Sequence, residues 1–279
     1  MKILITGAGG FVGQKIAEQF GVGRETVALT RRDLDITDGW SVGDAVLRLA
    51  PDLIVNCAVL GLEASEADPD RAWAVNAIGP ANLGRLAENA GAAVVHLSTN
   101  YVFGGDRGTG YYTIDDEPQP VNVYGETKWE GERALAAECS RHFIIRTSWV
   151  FGGSKANFFD NAIALLRAGE PVDAISDTWG SPTLVDDLVE RVQAIVDRGK
   201  FGTYHTANFG VCSKYEFAVE ASRVLGKDSE LVKPVFASQL GASVRRPEYT
   251  PIECKQSAEI GLPPLRDWER ALEASILRS

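Results

Sequence analysis

The chain has 279 residues, 45% hydrophobic and 24% charged, with a formal net charge of −10. That is the composition of a globular protein with one large domain or two coupled ones. The acidic balance argues against a nucleic-acid partner, and no apolar run approaches the ~20 residues of a membrane span.

Apolar runs alternate with helical stretches along the first half. "KILIT" predicts a buried strand, "FVGQKIAEQF" a helix, "TVALT" a strand, "SVGDAVLRLA" a helix and "DLIVNCA" a third strand. A single helix is expected over "PDRAWAVNAIGPANLGRLAENA", then a strand over "AAVVHLS". "NVYGETKWEGERALAAE" predicts a helix and "HFIIRTS" a fifth strand. Short continuous apolar strands separated by helices mean a parallel sheet covered on both faces, a doubly wound α/β fold of Rossmann type.

After about residue 150 the rhythm loosens. "FDNAIALLRAG", "VDDLVERVQAIVDRG" and "KYEFAVEASRVLG" are helical in pattern, "GTYHTA" is strand-like, and "LVKPVFASQLGASVRRPEYTPIECK" is expected to be mostly loop. The expected division is a dinucleotide-binding domain over 1–150 and a mainly substrate-binding lobe over 151–279. Some segments of that lobe would return to the sheet. No Gly-, Ser- or Pro-rich linker separates the halves. The cysteines (Cys57, Cys139, Cys212, Cys254) and histidines (His96, His142, His205) are scattered without metal-ligand spacing. Reduced thiols, no metal and a cytoplasmic location are expected. "MKILITGAGG" enters a strand and a glycine turn with no signal-peptide pattern.

"ITGAGGFVG" sets Gly7, Gly10 and Gly13 at G-x-x-G-x-x-G spacing between strand and helix. Gly7 would permit the turn, Gly10 the approach of a pyrophosphate, and Gly13 close helix–strand packing. The helix N-terminus would face the phosphates. At the end of the second strand, "ALTRRDLDITD" places Arg31 and Arg32 ahead of Asp33 and Asp35. Acids there favour a ribose 2′-hydroxyl and arginines a 2′-phosphate, so NADP(H) is favoured, with NAD(H) as the alternative.

Tyr124 and Lys128 in "VNVYGETKWEGE" are spaced i, i+4 and share one helix face. A phenol near pKa ~10 is a poor acid at neutral pH, and an adjacent ammonium lowers it. "STNYVFGG" follows the fourth strand, and Thr99 in it can donate to a substrate carbonyl. Thr99, Tyr124 and Lys128 thus form a carbonyl orienter, a proton donor and its tuner.

With these residues assembled, the chain resembles the extended short-chain dehydrogenase/reductase family. The similar segments run nearly end to end: "ILITGAGGFVG", "LDITD", "NCA", "AWAVNAIGPANLG", "STNYVFGG", "VNVYGETKWEGE", "IIRTSWVFG", "GSPT" and "RRPEYT". The resemblance implies that Thr99, Tyr124 and Lys128 are catalytic. It implies that Gly7, Gly10, Phe11, Val12, Gly13, Arg31, Asp35, Ile36, Ala58, Ser98, Tyr124 and Lys128 bind the cofactor. Asn100, Tyr101, Trp149, Asn157 and Arg246 would surround the substrate. The implied activity is NAD(P)H-dependent reduction of the 4-keto group of a nucleotide-activated 4-keto-6-deoxysugar, in a possible homodimer.

Two departures bear on the substrate. Asn100 stands where the family usually has an acid, and "VLGLEASEADPD", in a segment that normally helps line the substrate pocket, differs from the family's pattern. A sugar-nucleotide dehydratase would carry an Asp-Glu pair at positions 100 and 101, where this chain has Asn and Tyr. The alternatives are an epimerase and a nonenzymatic NADP-binding subunit, like the regulatory subunit of methionine adenosyltransferase.

Overall fold

A computed structural model describes residues 1–20, 22–153, 157–240 and 244–278. The first half contains strands β1 (Lys2–Thr6), β2 (Glu25–Leu29), β3 (Leu53–Asn56), β4 (Ala93–Thr99), β5 (His142–Thr147) and β6 (Val150–Phe151). It also contains helices α1 (Phe11–Phe20), α2 (Gly39–Leu49), α3 (Leu62–Ala67), α4 (Pro69–Trp73), α5 (Gly79–Ala90) and α6 (Val123–Glu138). The second half adds α7 (Phe158–Ala168), β7 (Val172–Ile175), β8 (Trp179–Gly180), β9 (Thr183–Leu184), α8 (Val185–Arg198) and β10 (Gly202–Thr206). It continues with β11 (Cys212–Ser213), α9 (Lys214–Val224), β12 (Val232–Val235), α10 (Lys255–Glu259) and α11 (Trp268–Arg278).

Six strands form one parallel sheet in the order β10-β5-β4-β3-β1-β2. The period of two along each strand buries both faces. Ile3, Ile5, Leu53, Val55, Val95, Phe143 and Ile145 pack on one side with Ile16 and Phe20 of α1 and Leu188 and Val192 of α8. Leu4, Ile54, Val94 and Ile144 pack on the other with Val42 and Val46 of α2, Leu83 of α5 and Leu135 of α6. After β1 the chain moves outward to β2, then crosses back to β3 on the far side of β1. The strand order therefore reverses between β1 and β3, which opens a crevice at their carboxyl ends.

A separate apolar cluster gathers Phe151, Phe159, Leu166, Phe217, Trp268 and Leu272 from β6, α7, α9 and α11. Residues after 150 also return α8 and β10 to the main sheet.

Three sequence expectations are corrected. The stretch expected as one helix is α4, a π-helical turn at Ala74–Ile78 and α5. In that turn the Asn76 side chain bonds both backbone groups of Leu60 and donates to the Thr127 hydroxyl, tying the helix to two other segments. The widened turn accommodates these ties, a usual setting for a π-bulge. In "LVKPVF", expected as loop, Val232–Val235 pairs in parallel with Val172–Ile175. Residues 241–243 of that stretch lie outside the described residues. Helices α3 and α11 were not expected, since α3 is too short to show a period and α11 is defined by burial of Trp268, Ala271 and Leu272.

Candidate active site

The glycine turn lies at the switch point. Gly7 has φ +67°, and a Cβ there would come within 2.4 Å of the Ala58 nitrogen. A Cβ on Gly13 would come within 2.3 Å of the Gly7 carbonyl oxygen. Only glycine allows the turn to sit against the β3 end and α1 to sit against the turn. The first turn of α1 carries no acidic residue to repel an anion at its N-terminus.

A cavity of about 690 Å³ opens over this turn. All twelve residues expected to bind cofactor line it: Gly7, Gly10, Phe11, Val12, Gly13, Arg31, Asp35, Ile36, Ala58, Ser98, Tyr124 and Lys128. Arg32, Arg71, Leu97, Thr147 and Val150 also line it. Leu97, Thr147 and Val150 escaped the sequence reading because they read as strand-end residues. The Ser98 hydroxyl is committed elsewhere, donating to Glu132.

At the β2 end the acids are already engaged. Asp33 accepts from the Thr30 amide at 2.9 Å and hydroxyl at 2.7 Å, and these bonds hold its carboxyl below the usual range. Asp35 accepts from the Thr37 amide at 3.0 Å and hydroxyl at 2.8 Å. Arg31 and Arg32 border the same cavity end. Arg31 approaches Asp35 only to 4.0 Å with both side chains exposed, a weak pairing. This donor set suits a 2′-phosphate.

Tyr124 sits in the first turn of α6. Asn122 caps this helix by accepting the Gly125 amide at 2.8 Å, and Glu66 of α3 accepts the Tyr124 amide at 3.2 Å. Thr99 ends β4, and its hydroxyl oxygen accepts the Tyr101 amide at 3.1 Å. Burial raises the Tyr124 phenol above 10.0, and the neighbouring Thr99 hydroxyl opposes that rise. Lys128 is buried and pushed down to about 8, chiefly by desolvation, with Glu132 pulling the other way. Its Nζ lies 2.6 Å from the Leu97 carbonyl oxygen and 3.0 Å from His96 Nε2. The expected lowering of the phenol by Lys128 is therefore absent from this arrangement, because the nitrogen is turned toward β4.

The helix that carries Tyr124 and Lys128 is pinned from below. Arg146 of β5 donates to Glu132 of α6 at 2.7 Å and 3.0 Å on one carboxylate oxygen and at 3.1 Å on the other. Both side chains are at most 4% exposed, so this is a buried, bidentate pair. The guanidinium also lies over the Phe103 and Trp129 rings at 5.3 and 5.5 Å.

The residues expected around the substrate separate into two groups. Tyr101 stands edge-on to Tyr124, ring centroids 6.0 Å apart, and burial raises its phenol to about 12 despite the nearby positive charge of Arg246. Arg246 also pairs with Glu63 of α3 at 2.6 Å. Trp149 has φ +46°, a strained backbone for a bulky side chain, and its ring covers Gly180. Tyr101 and Arg246 thus lie together beside Tyr124, while Trp149 lies over Gly180.

Asn100 and Asn157 do not offer free donors there. Asn100 is 2% exposed, and its Nδ2 donates to the Thr250 hydroxyl at 2.7 Å and carbonyl at 3.3 Å. Its Nδ2 ties the β4 end to the "RRPEYT" segment. The Asn157 side chain caps α7, accepting the Asp160 amide at 2.9 Å and donating to the Asp160 carboxylate at 2.6 Å. Its side chain is occupied at a helix start.

Lys214 was missed. Its Nζ lies 6.0 Å from the Trp149 ring centroid and 5.4 Å from that of Phe158. Burial pushes it down to about 8, Arg246 lowers it further, and Glu63 opposes both. The sequence held one signal. Lys214 is the first residue of α9, directly after the capping Ser213 and inside the Ser213–Glu216 capping box, where the helix dipole disfavours a cation.

A glycine-turn cavity at the switch point of a doubly wound sheet, walled by a Tyr-Lys pair one helical turn apart, marks an oxidoreductase of the short-chain dehydrogenase/reductase class. Within it, the chain belongs to the RmlD substrate binding domain family, which it matches over residues 1–279. It is 41% identical to the dTDP-4-dehydrorhamnose reductase of Mycolicibacterium smegmatis, over 99% of this chain and 85% of the relative. It is 36% identical to the dTDP-4-keto-6-deoxy-D-glucose reductase of Streptomyces niveus, over 96% and 94%. The crystal structure of the Bacillus anthracis dTDP-4-dehydrorhamnose reductase in complex with NADP superposes with a TM-score of 0.94 at 32% identity, covering 100% of this chain and 99% of that one.

Proposed function

We propose that this protein is an NADPH-dependent reductase of the 4-keto group of a dTDP-activated 4-keto-6-deoxysugar. The observation that carries the reading is the buried Tyr124 phenol, one helical turn from Lys128, with both side chains on the wall of the glycine-turn cavity. The names of the relatives support the substrate class, and the arginines at the β2 end support NADP(H).

When bound, the reduced cofactor supplies the hydride. The chain's own residues do the rest. Gly7, Gly10 and the α1 amides would hold the pyrophosphate, and Arg31 and Arg32 the 2′-phosphate. Thr99 orients the carbonyl oxygen, and the Tyr124 hydroxyl protonates it as charge develops. Tyr101 and Trp149 border the sugar. Lys214 and Arg246 bring two cations to the same region, which suits the diphosphate of a nucleotide sugar. Glu63 is 72% exposed and pairs with Arg246 in a water-screened setting, so an incoming diphosphate displaces it at little cost. Dehydration is disfavoured because the residue after Thr99 is a neutral amide with its donors on Thr250.

The test is stoichiometric NADPH oxidation with dTDP-4-keto-6-deoxy sugars of different C3 and C5 configuration. Tyr124→Phe is expected to keep NADP(H) affinity and lose roughly 10²- to 10⁴-fold in kcat. Near-wild-type turnover in that variant sinks the mechanism. Substrate conversion with no net cofactor change sinks the reductase reading in favour of epimerisation.

A further inference from the structure

Beneath Lys128 a line of buried polar groups runs back to β1. The Thr6 hydroxyl donates to Asn56 Oδ1 at 2.7 Å, and the Ala58 amide donates to the same oxygen at 3.1 Å. Asn56 Nδ2 lies 3.0 Å from His96 Nδ1. His96 Nε2 lies 3.0 Å from Lys128 Nζ, which is also 2.6 Å from the Leu97 carbonyl oxygen. Thr6, Asn56, His96 and Lys128 are each at most 1% exposed.

Counting donors and acceptors places the protons. The Ala58 amide can only donate, so the Asn56 atom that faces it is oxygen. Swapping the Asn56 amide would set NH₂ against N–H and orphan a main-chain donor. Asn56 Nδ2 therefore donates to His96 Nδ1, which must be unprotonated. Burial without a charged acceptor holds His96 well below its ordinary value, so the ring is neutral and its proton is on Nε2. The atom facing that proton is Lys128 Nζ. An ammonium has three donors and no lone pair, so only the amine form of lysine can accept it. As an amine, Lys128 still donates to Leu97.

From this geometry we propose that His96 is a positioning residue that donates a hydrogen bond to Lys128 and holds it as a neutral amine while its nitrogen rests against Leu97. The proposal rests on the reading of Lys128 as a member of the catalytic set. The Lys128 side chain becomes an ammonium only by giving up the His96 bond. That happens by turning toward the cavity, or by forcing His96 into its other tautomer at the expense of Asn56. Proton uptake by Lys128 is thereby coupled to its engagement with the cavity.

Other charged or titratable groups around Lys128 do not supply a competing partner. Glu132, on the same helix, is committed to Arg146 and Ser98. Cys57, after β3, is raised by burial to about 12 and stays a thiol. Tyr124, one turn back on α6, is raised and stays a phenol.

Nuclear magnetic resonance of the cofactor-free protein tests this without reference to turnover. Long-range ¹H–¹⁵N spectra of His96 are expected to show the Nε2–H tautomer, and the Lys128 side-chain signals a titration near 8. His96→Leu removes the donor, and the Lys128 titration is expected to move up by about one pH unit. His96→Gln keeps a donor and is expected to hold it near the wild-type position. An Nδ1–H tautomer or an imidazolium in the wild type at a pH above the Lys128 titration overturns the proposal even if neither variant folds. So does a Lys128 titration that His96→Leu leaves in place or lowers. Failure of the catalytic reading would appear instead as NADPH oxidation that survives Tyr124→Phe or Lys128→Met, so the two failures are distinguishable.

Discussion

Asn100 Nδ2 donates to the Thr250 hydroxyl at 2.7 Å across 150 residues of chain, joining the end of β4 to the segment that carries Arg246. The same amide oxygen lies 3.4 Å from the Thr99 hydroxyl. Position 100 therefore sets how Thr99 and the expected substrate-binding loop sit relative to each other.

Asn100→Asp would place a carboxylate oxygen against the Thr250 carbonyl, where the native amide donates. A loss of about 1–3 kcal/mol in stability is expected. The KM for nucleotide sugar should rise more than kcat falls, because the loop is loosened while the phenol stays. Thermal unfolding and steady-state kinetics together check this. An Asp variant with native stability and native KM would show that the tether is dispensable.

The Glu132–Arg146 pair is buried, so breaking it is costly and replacing it is not. Arg146→Met alone is expected to cost about 3–5 kcal/mol, since it strands the Glu132 carboxylate. The double variant Glu132→Leu with Arg146→Met should recover much of that loss. Chemical denaturation of the three proteins measures it, and a double variant no more stable than the single one contradicts the argument.

Lys214 bears on the diphosphate assignment. Lys214→Met should raise the KM for nucleotide sugars by roughly tenfold or more, with little change in kcat or in NADPH affinity. The salt dependence of the sugar-nucleotide KM should flatten in the variant. An unchanged KM would assign Lys214 to packing on Trp149 and Phe158.

Lys128 makes stability depend on pH in a defined window. Its proton is held with a pKa of about 8 in the folded protein against 10.5 ordinarily. Between those values the unfolded chain binds more protons, so this group's contribution to stability rises with pH. Below about 8 its full cost is present. The stability of Lys128→Met relative to the native protein is therefore expected to be highest at neutral pH and to fall as pH climbs from about 8 toward 10.5. Melting temperatures of both proteins across that range test the sign, and a relative stability that grows with pH would reverse it.

Much of the fold was legible because it is written in local periods. The β1, β3, β4 and β5 runs are continuously apolar because both faces of a parallel sheet are covered, and "FVGQKIAEQF" coincides with α1. Residues that line the cavity over the glycine turn were legible for the same reason. Gly7, Gly10 and Gly13 are spaced by the turn they make, and Tyr124 and Lys128 by a turn of helix. The π turn at Ala74–Ile78 was not legible, because Asn76 is drawn to Leu60 and Thr127, partners far from it in sequence.

The sequence by itself determined the sheet, the glycine turn and the identities of Thr99, Tyr124 and Lys128, since each depends on neighbours within a few residues. Tertiary structure alone decided what the polar side chains spend their hydrogen bonds on. It turned Asn100 to Thr250, Asn157 to Asp160 and Lys128 to His96, and it brought Lys214 to Trp149. A buried donor or acceptor must find a partner wherever the fold supplies one, and that partner is set by packing and not by spacing along the chain.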